Sequence, residues 1–176
     1  MIKLYNGDCL EVMDKLIQDG VKVDMVLVDP PYGMSFQSGH RKEKYNKIKN
    51  DDNLNWLDKF AKLMFDLSAD NTAHYVFCSF HKIDIFKQTF EKYFKVKNIL
   101  IWEKNNTSMG DLKGDFAPKV EFILFLQKGR SLIRGKRECN IFKFARTNNI
   151  FHPTQKPVDM LEFMISKFSD EGRSLS

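Results

Sequence analysis

The sequence predicts an α/β protein built on a mostly parallel sheet, and three observations predict it. Val23-Asp24-Met25-Val26-Leu27-Val28 is an apolar run interrupted only by Asp24, with no two-residue alternation, so it reads as a strand buried on both faces. The run stops abruptly at Asp29-Pro30-Pro31-Tyr32, a polar tetrapeptide at the carboxyl end of a strand, where open α/β sheets hold their ligands. Segments with helical spacing alternate with short apolar runs along the rest of the chain. At 176 residues, 43% hydrophobic and 29% charged, the chain suits one globular domain and is too short for two of ordinary size.

Taken in order, residues 3–6 are a short strand candidate that turns at Gly7. Asp8 caps a helix whose apolar positions, Leu10, Met13, Leu16 and Ile17, recur every three or four residues until Gly20 stops it. After the central strand, residues 33–55 are too polar for a core and too long for an ordinary loop, which marks a functional loop at the mouth of a site. Trp56, Leu57, Phe60, Leu63, Met64 and Leu67 then form the apolar stripe of a helix packed on the sheet. Residues 73–77 are the next strand, and Ile83, Phe86, Phe90 and Phe94 mark another helix. Residues 96–102 and 120–127 are strands joined by a polar, turn-rich connection that includes Asn105-Asn106-Thr107-Ser108-Met109-Gly110. Pro157 suits the first turn of a last helix, with Val158, Leu161, Met164, Ile165 and Phe168 as its stripe.

Charge narrows the function classes. The net charge of +5 is modest, but basic residues cluster. Arg41, Lys42, Lys44, Lys47 and Lys49 stand against Glu43, while Lys128, Arg130, Arg134, Lys136, Arg137, Lys143 and Arg146 stand against Glu138. Two such clusters suit phosphate binding, or else are solvated basic loops. Cys9, Cys78 and Cys139 are too far apart and too few for a disulfide frame or a zinc site, and His74 and His81 lack a partner at metal spacing, so both read as structural and no metal is expected. No apolar run is long enough to span a bilayer, and residues 1–8 lack the apolar core of a signal peptide, which points to the cytoplasm.

The tetrapeptide carries the chemistry. Two prolines fix the backbone and remove two donors, so the loop exposes carbonyls, and an ionised Asp29 is likewise acceptor-only. Fixed acceptors beside the ring of Tyr32 suit a planar amine, such as the exocyclic amino group of a nucleobase. Asp29-Pro30-Pro31-Tyr32 resembles the catalytic tetrapeptide of DNA amino methyltransferases. Phe151-His152-Pro153-Thr154-Gln155-Lys156-Pro157 resembles the segment with which that family binds the methionine portion of S-adenosylmethionine, at a helix N-terminus suited to a carboxylate.

The resemblance implies a Rossmann-like methyltransferase fold with the permuted motif order of the β class, in which the tetrapeptide comes early and a glycine-rich turn comes last. It implies Asp29, Pro30, Pro31 and Tyr32 as the catalytic residues. It implies S-adenosylmethionine as methyl donor, held by Asp8, Cys9, Asp29, His152, Thr154 and Lys156, although on local grounds Asp8 is equally a plain helix cap. Residues 33–55, with Arg41, Lys42 and Lys44, and residues 128–149, with Arg130, Arg134, Lys136 and Arg137, are the segments expected to contact double-stranded DNA. Asp29, where cytosine-N4 enzymes more often carry Ser, favours adenine N6. The glycine-rich turn and its strand do not follow residue 168, so the expectation is a single partial catalytic domain over residues 1–176 with an incomplete sheet, active as a homo-oligomer or with a complementing polypeptide. The alternatives are a cytosine-N4 enzyme, a catalytically dead DNA-binding remnant, and an enzyme of RNA or protein amide nitrogen.

Overall fold

In the computed structural model, residues 2–34, 51–107, 111–147 and 155–169 are described. Among the described residues, four α-helices, α1 (Cys9–Gln18), α2 (Leu57–Leu67), α3 (Ile83–Glu91) and α4 (Val158–Ser166), flank a sheet of β1 (Leu27–Val28), β2 (Thr72–Cys78), β3 (Lys95–Glu103), β4 (Val120–Lys128) and β5 (Ile141–Lys143). The strand order is β1-β2-β4-β3-β5. The sheet is mixed rather than mostly parallel: β1 runs parallel to β2 and β5 to β3, while β4 lies antiparallel between β2 and β3.

The central strand is buried on both faces, as its composition requires. Val23 and Val26 join one core with α1, α2 and α3, and Met25 joins the other with α4. Its ladder is short because other groups take its backbone. The Val26 amide donates to Nδ1 of His74 at 3.1 Å, and the Val23 amide donates to the Leu67 carbonyl. His74 is structural: with Nδ1 accepting, its proton sits on Nε2 and faces Thr72 Oγ1 at 3.0 Å, whose hydroxyl donates to the Ala69 carbonyl. Burial, with a smaller contribution from the Lys128 charge, pushes its pKa down to about 3. The face beneath α2 and α3 holds Phe60, Phe86, Phe90 and Phe94 as a chain of ring contacts. Opposite, Met160 and Met164 of α4 pack on Tyr75, Phe77, Trp102 and Ile123.

Four expectations change. Residues 3–6 form no strand: Ile2 and Leu4 are exposed, and no described strand lies alongside to complete a ladder. Val158 is exposed, and within the first turn of α4 it is Met160 that enters the core. Pro157, with ψ 129°, is the cap of α4 and not its first residue. Residues 128–149 contain β5, whose Phe142 packs on Phe163. No helix among the described residues is long and apolar enough to cross a membrane.

Two outcomes follow. Phe90→Ala removes a fully buried ring with three aromatic neighbours, so urea unfolding should show a loss of about 3–5 kcal/mol. The folded-state pKa of His74 lies below its unfolded value, so the unfolded chain takes the proton first. That stability is fully present above about pH 6.5 and is lost as pH falls toward 3, and in a pH series of melting curves His74→Gln should flatten the slope.

Candidate active site

β1 delivers Asp29 to the carboxyl end of the sheet, where β2 ends, β3 ends and β4 begins. The antiparallel register sets Glu121 of β4 opposite Trp102 of β3, one residue beyond the Cys78–Phe122 pair that closes the β2 ladder. α4 crosses this face from the opposite direction. Lys156, just before it, reaches the tetrapeptide, and the Met164 carbonyl accepts from the Tyr75 hydroxyl halfway down the sheet.

Each residue of the tetrapeptide is held. Pro30 is buried and Asp29 stands exposed. The Tyr32 ring meets Phe86 edge-on at 6.5 Å, and its hydroxyl donates to Asp29 Oδ1 at 2.5 Å. Burial first, then the Asp29 charge, raise the Tyr32 pKa well beyond the usual phenol range, so the hydroxyl remains a donor. The turn that follows is fixed by Asp51, only 5% exposed, whose Oδ1 accepts from the amides of Tyr32 (2.9 Å), Gly33 (2.9 Å) and Met34 (3.3 Å). Gly33 is required there: its φ is 68°, and a Cβ would stand 2.9 Å from Leu54 Cγ.

Lys156 joins the two motifs. Its Nζ lies 2.9 Å from Asp29 Oδ2 and 3.0 Å from Glu121 Oε2, above the Phe77 ring at 5.0 Å. Glu121 Oε1 is in turn 2.7 Å from Lys104 Nζ, which sits over Trp102 at 5.3 Å. The Lys104 and Lys156 side chains are 10% and 11% exposed, so little water screens this row of alternating charges. Burial works against the Glu121 charge, but the ammoniums of Lys156 and then Lys104 outweigh it and hold the carboxyl below its usual range.

Among the sequence candidates, Asp29, Tyr32 and Lys156 are therefore in direct contact. Asp8 caps α1 by accepting from the Leu10 amide at 2.9 Å, and Cys9 is exposed at the first helical position. His152, Thr154, Arg41, Lys42 and Lys44 lie outside the described residues. The 128–149 segment divides. Arg130, Arg134, Lys136 and Arg137 follow the far end of β4, roughly 25 Å of strand from Glu121. There Arg130 and Arg137, with Lys95 and Lys97, line a cavity of about 970 Å³. β5 then runs back, so Lys143 and Arg146 are at the Asp29 end, where the Arg146 amide donates to Asn105 Oδ1. Sequence reasoning missed Asp51, Lys104 and Glu121. The signal for Glu121 was a lone carboxylate within the apolar run Val120-Glu121-Phe122-Ile123-Leu124.

The site is thus an acidic, proline-stiffened strand tip of an α/β sheet facing a lysine at a helix head. The chain belongs to the DNA methylase family of N6 and N4 amino methyltransferases, whose model matches residues 23–174. It is similar to a putative methylase, YubD, of Escherichia coli K12, 28% identical over 170 residues that cover 96% of this chain and 71% of that protein. It also resembles the type II methyltransferase M2.MboI of Moraxella bovis, 25% identical over 190 residues that cover 92% of this chain and 69% of that protein. Among solved structures, the M1.HpyAVI–SAM complex superimposes with a TM-score of 0.74 at 24% identity, over 99% of this chain and 81% of that one. The cytosine-N4-specific PvuII DNA methyltransferase gives a TM-score of 0.71 at 15% identity, over 97% of this chain and 71% of that one. The fold is thus the Rossmann-like methyltransferase fold.

Asp51→Ala strips three amides of a buried charged acceptor. It should cost about 2–3 kcal/mol in urea unfolding and speed hydrogen exchange at the Tyr32 and Gly33 amides.

Proposed function

We propose that this chain transfers a methyl group from S-adenosylmethionine to the N6 amino group of a flipped-out adenine in double-stranded DNA. The observation that carries this reading is the Asp29–Lys156 contact, which joins the tetrapeptide to the helix-head motif in a chain of the DNA methylase family. The exocyclic amine is hidden within a duplex, so the base must leave the stack at a cost of a few kcal/mol. The Tyr32 ring and the pocket hydrogen bonds offset that cost. Asp29 has partners at both oxygens, but a carboxylate offers about four lone-pair sites, so acceptor capacity remains for the amine. Asp29 and the Pro30 carbonyl accept the two amino hydrogens, drawing the nitrogen toward tetrahedral geometry so that its lone pair is no longer shared with the ring. Pro31 stiffens the loop that sets these acceptors.

The residues present suit the methyl donor. Lys156 Nζ stands at ion-pair distance from Asp29 Oδ2 and Glu121 Oε2, and an ammonium carries three N–H groups, so donor capacity remains for a carboxylate. Pro157 gives the head of α4 no side-chain cap, and the Met160 amide donates to Asp159 Oδ1 at 3.0 Å, so the Val158 and Asp159 amides are the ones that suit the same group, with His152 and Thr154 beside them in sequence. α1 hands over to the start of the central strand, so its head, with Asp8 and Cys9, faces the Asp29 end and suits the adenosine. When bound, S-adenosylmethionine supplies an electrophilic methyl group. The protein then contributes positioning and fixed charges.

We assign backbone contacts on the duplex to Arg41, Lys42 and Lys44 of residues 33–55 and to the 128–149 segment. Within the latter, Lys143 and Arg146 suit phosphates beside the extruded base, and Arg130, Arg134, Lys136 and Arg137 suit phosphates further along. The Asp at position 29 favours adenine over cytosine. The reading places the enzyme in the cytoplasm, on one domain.

The test is transfer of a tritiated methyl group from S-adenosylmethionine to unmethylated plasmid DNA, followed by mass spectrometry of the released nucleosides. N6-methyladenine is expected, and Asp29→Ala should abolish it while DNA affinity stays within about twofold. N4-methylcytosine would move the assignment to cytosine, RNA outcompeting duplex DNA would move it to RNA, and DNA binding without binding or use of S-adenosylmethionine would leave only an inert remnant.

A further inference from the structure

We propose that Glu121 is a positioning residue that fixes the Lys156 ammonium against Asp29, with Lys104 fixing Glu121 in turn; the inference rests on the methyltransferase reading above. No part of the tetrapeptide or of the helix-head motif includes Glu121 or Lys104, yet both are built into the same row of contacts. From β3 to the helix head the row reads Lys104 Nζ, Glu121, Lys156 Nζ and Asp29, at 2.7, 3.0 and 2.9 Å. Two carboxylates and two ammoniums leave the row neutral.

Where each member is anchored gives the direction of control. The Lys104 and Lys156 side chains are 10% and 11% exposed, Glu121 is 26% exposed and Asp29 is 35% exposed. Glu121 is on β4, near its start, and Lys104 directly follows β3, where its amide donates to the Lys119 carbonyl at 3.0 Å and its side chain packs over Trp102, itself fully buried. The rigid end of the row is therefore in the sheet, and the wet end is the carboxylate that meets substrate. Lys156 sits on a connection, not in a regular element, at the end of a flexible four-carbon stem. Left to itself, such a stem samples several rotamers. Held on one side by Glu121 and from below by the Phe77 ring, its ammonium has one place to stand, 2.9 Å from Asp29 Oδ2.

Glu121 serves a second purpose in the same position. An ammonium paired with Asp29 alone would draw its charge and weaken it as an acceptor for the amine hydrogens. A second carboxylate shares the ammonium and leaves more of the Asp29 charge for the substrate. Glu121 touches neither base nor donor in this account. It acts through Lys156, and its removal should appear in turnover and not in duplex affinity.

The experiment compares Glu121→Gln and Glu121→Asp with the unsubstituted chain, using tritiated S-adenosylmethionine and unmethylated plasmid DNA, with rates expressed per folded molecule. Glu121→Gln keeps the shape and removes the charge. The expected result is a kcat lowered about 10- to 100-fold, as displacement of a reacting group by an ångström produces, with KM for DNA within about twofold and part of kcat recovered by Glu121→Asp. A kcat within twofold of the unsubstituted chain, or an equal change in KM for DNA, overturns the proposal. A second readout does not depend on activity. In 15N-lysine-labelled protein, the Lys156 ammonium should give a signal protected from solvent exchange that Glu121→Gln abolishes and Lys59→Met, at a remote surface pair, leaves unchanged. Persistence of that signal in Glu121→Gln overturns the inference. No methyl transfer by the unsubstituted chain overturns the methyltransferase reading, and the ammonium signal then decides the positioning claim by itself.

Discussion

The contact on which the site depends is the ion pair between Asp29 and Lys156. One partner ends the first long apolar run of the chain, and the other precedes the last described helix, so nothing local in sequence brings them together. The sheet does so. β1 aims Asp29 at the carboxyl edge, and α4, packed through Met160 and Met164 on Tyr75 and Phe77, returns its head to the same edge. Surface ion pairs contribute little because water screens them. This one differs because the lysine is sheltered and has a second carboxylate behind it.

Sheltering has consequences in both directions. A buried ion pair is weak evidence for stability, since desolvation offsets much of the attraction, yet removal of one partner leaves the other uncompensated at about 3–5 kcal/mol when fully buried. The cost here is smaller, because Asp29 is partly exposed. Conformational specificity is the more useful outcome. Asp51, Gly33 and Phe86 fix the tetrapeptide from one side, and Glu121 and Lys104 fix its counter-ion from the other. A carboxylate so constrained presents its remaining lone pairs in one direction.

Much of this was legible in the residues. The central strand showed itself because Met25 to Val28 lack alternation, and Met25 and Val26 do pack into opposite cores. The helices α1 to α3 followed from apolar spacing, and His74 read correctly as structural. The failures have physical reasons. Residues 3–6 have strand-like composition, but a strand needs a neighbour's backbone, which composition does not report. The stripe of α4 held from Leu161 to Phe168 and failed only at its start, where Met160 and not Val158 packs with Tyr75 and Phe77. β5 was hidden because three residues on a sheet edge are too few for a period. Asp51 and Glu121 escaped because each acts across distance, on amides or ammoniums far along the chain. The basic segment was recognised as one unit, whereas β4 and β5 split it between two ends of the sheet.

The most direct measurement is a double-mutant cycle on Asp29→Asn and Lys156→Met, read by equilibrium urea unfolding. Two side chains that share one charged centre should be non-additive, with a coupling energy of about 1 kcal/mol or more. Additivity within about 0.3–0.5 kcal/mol, the value for independent sites, would mean that the strand tip and the helix head do not form a common site.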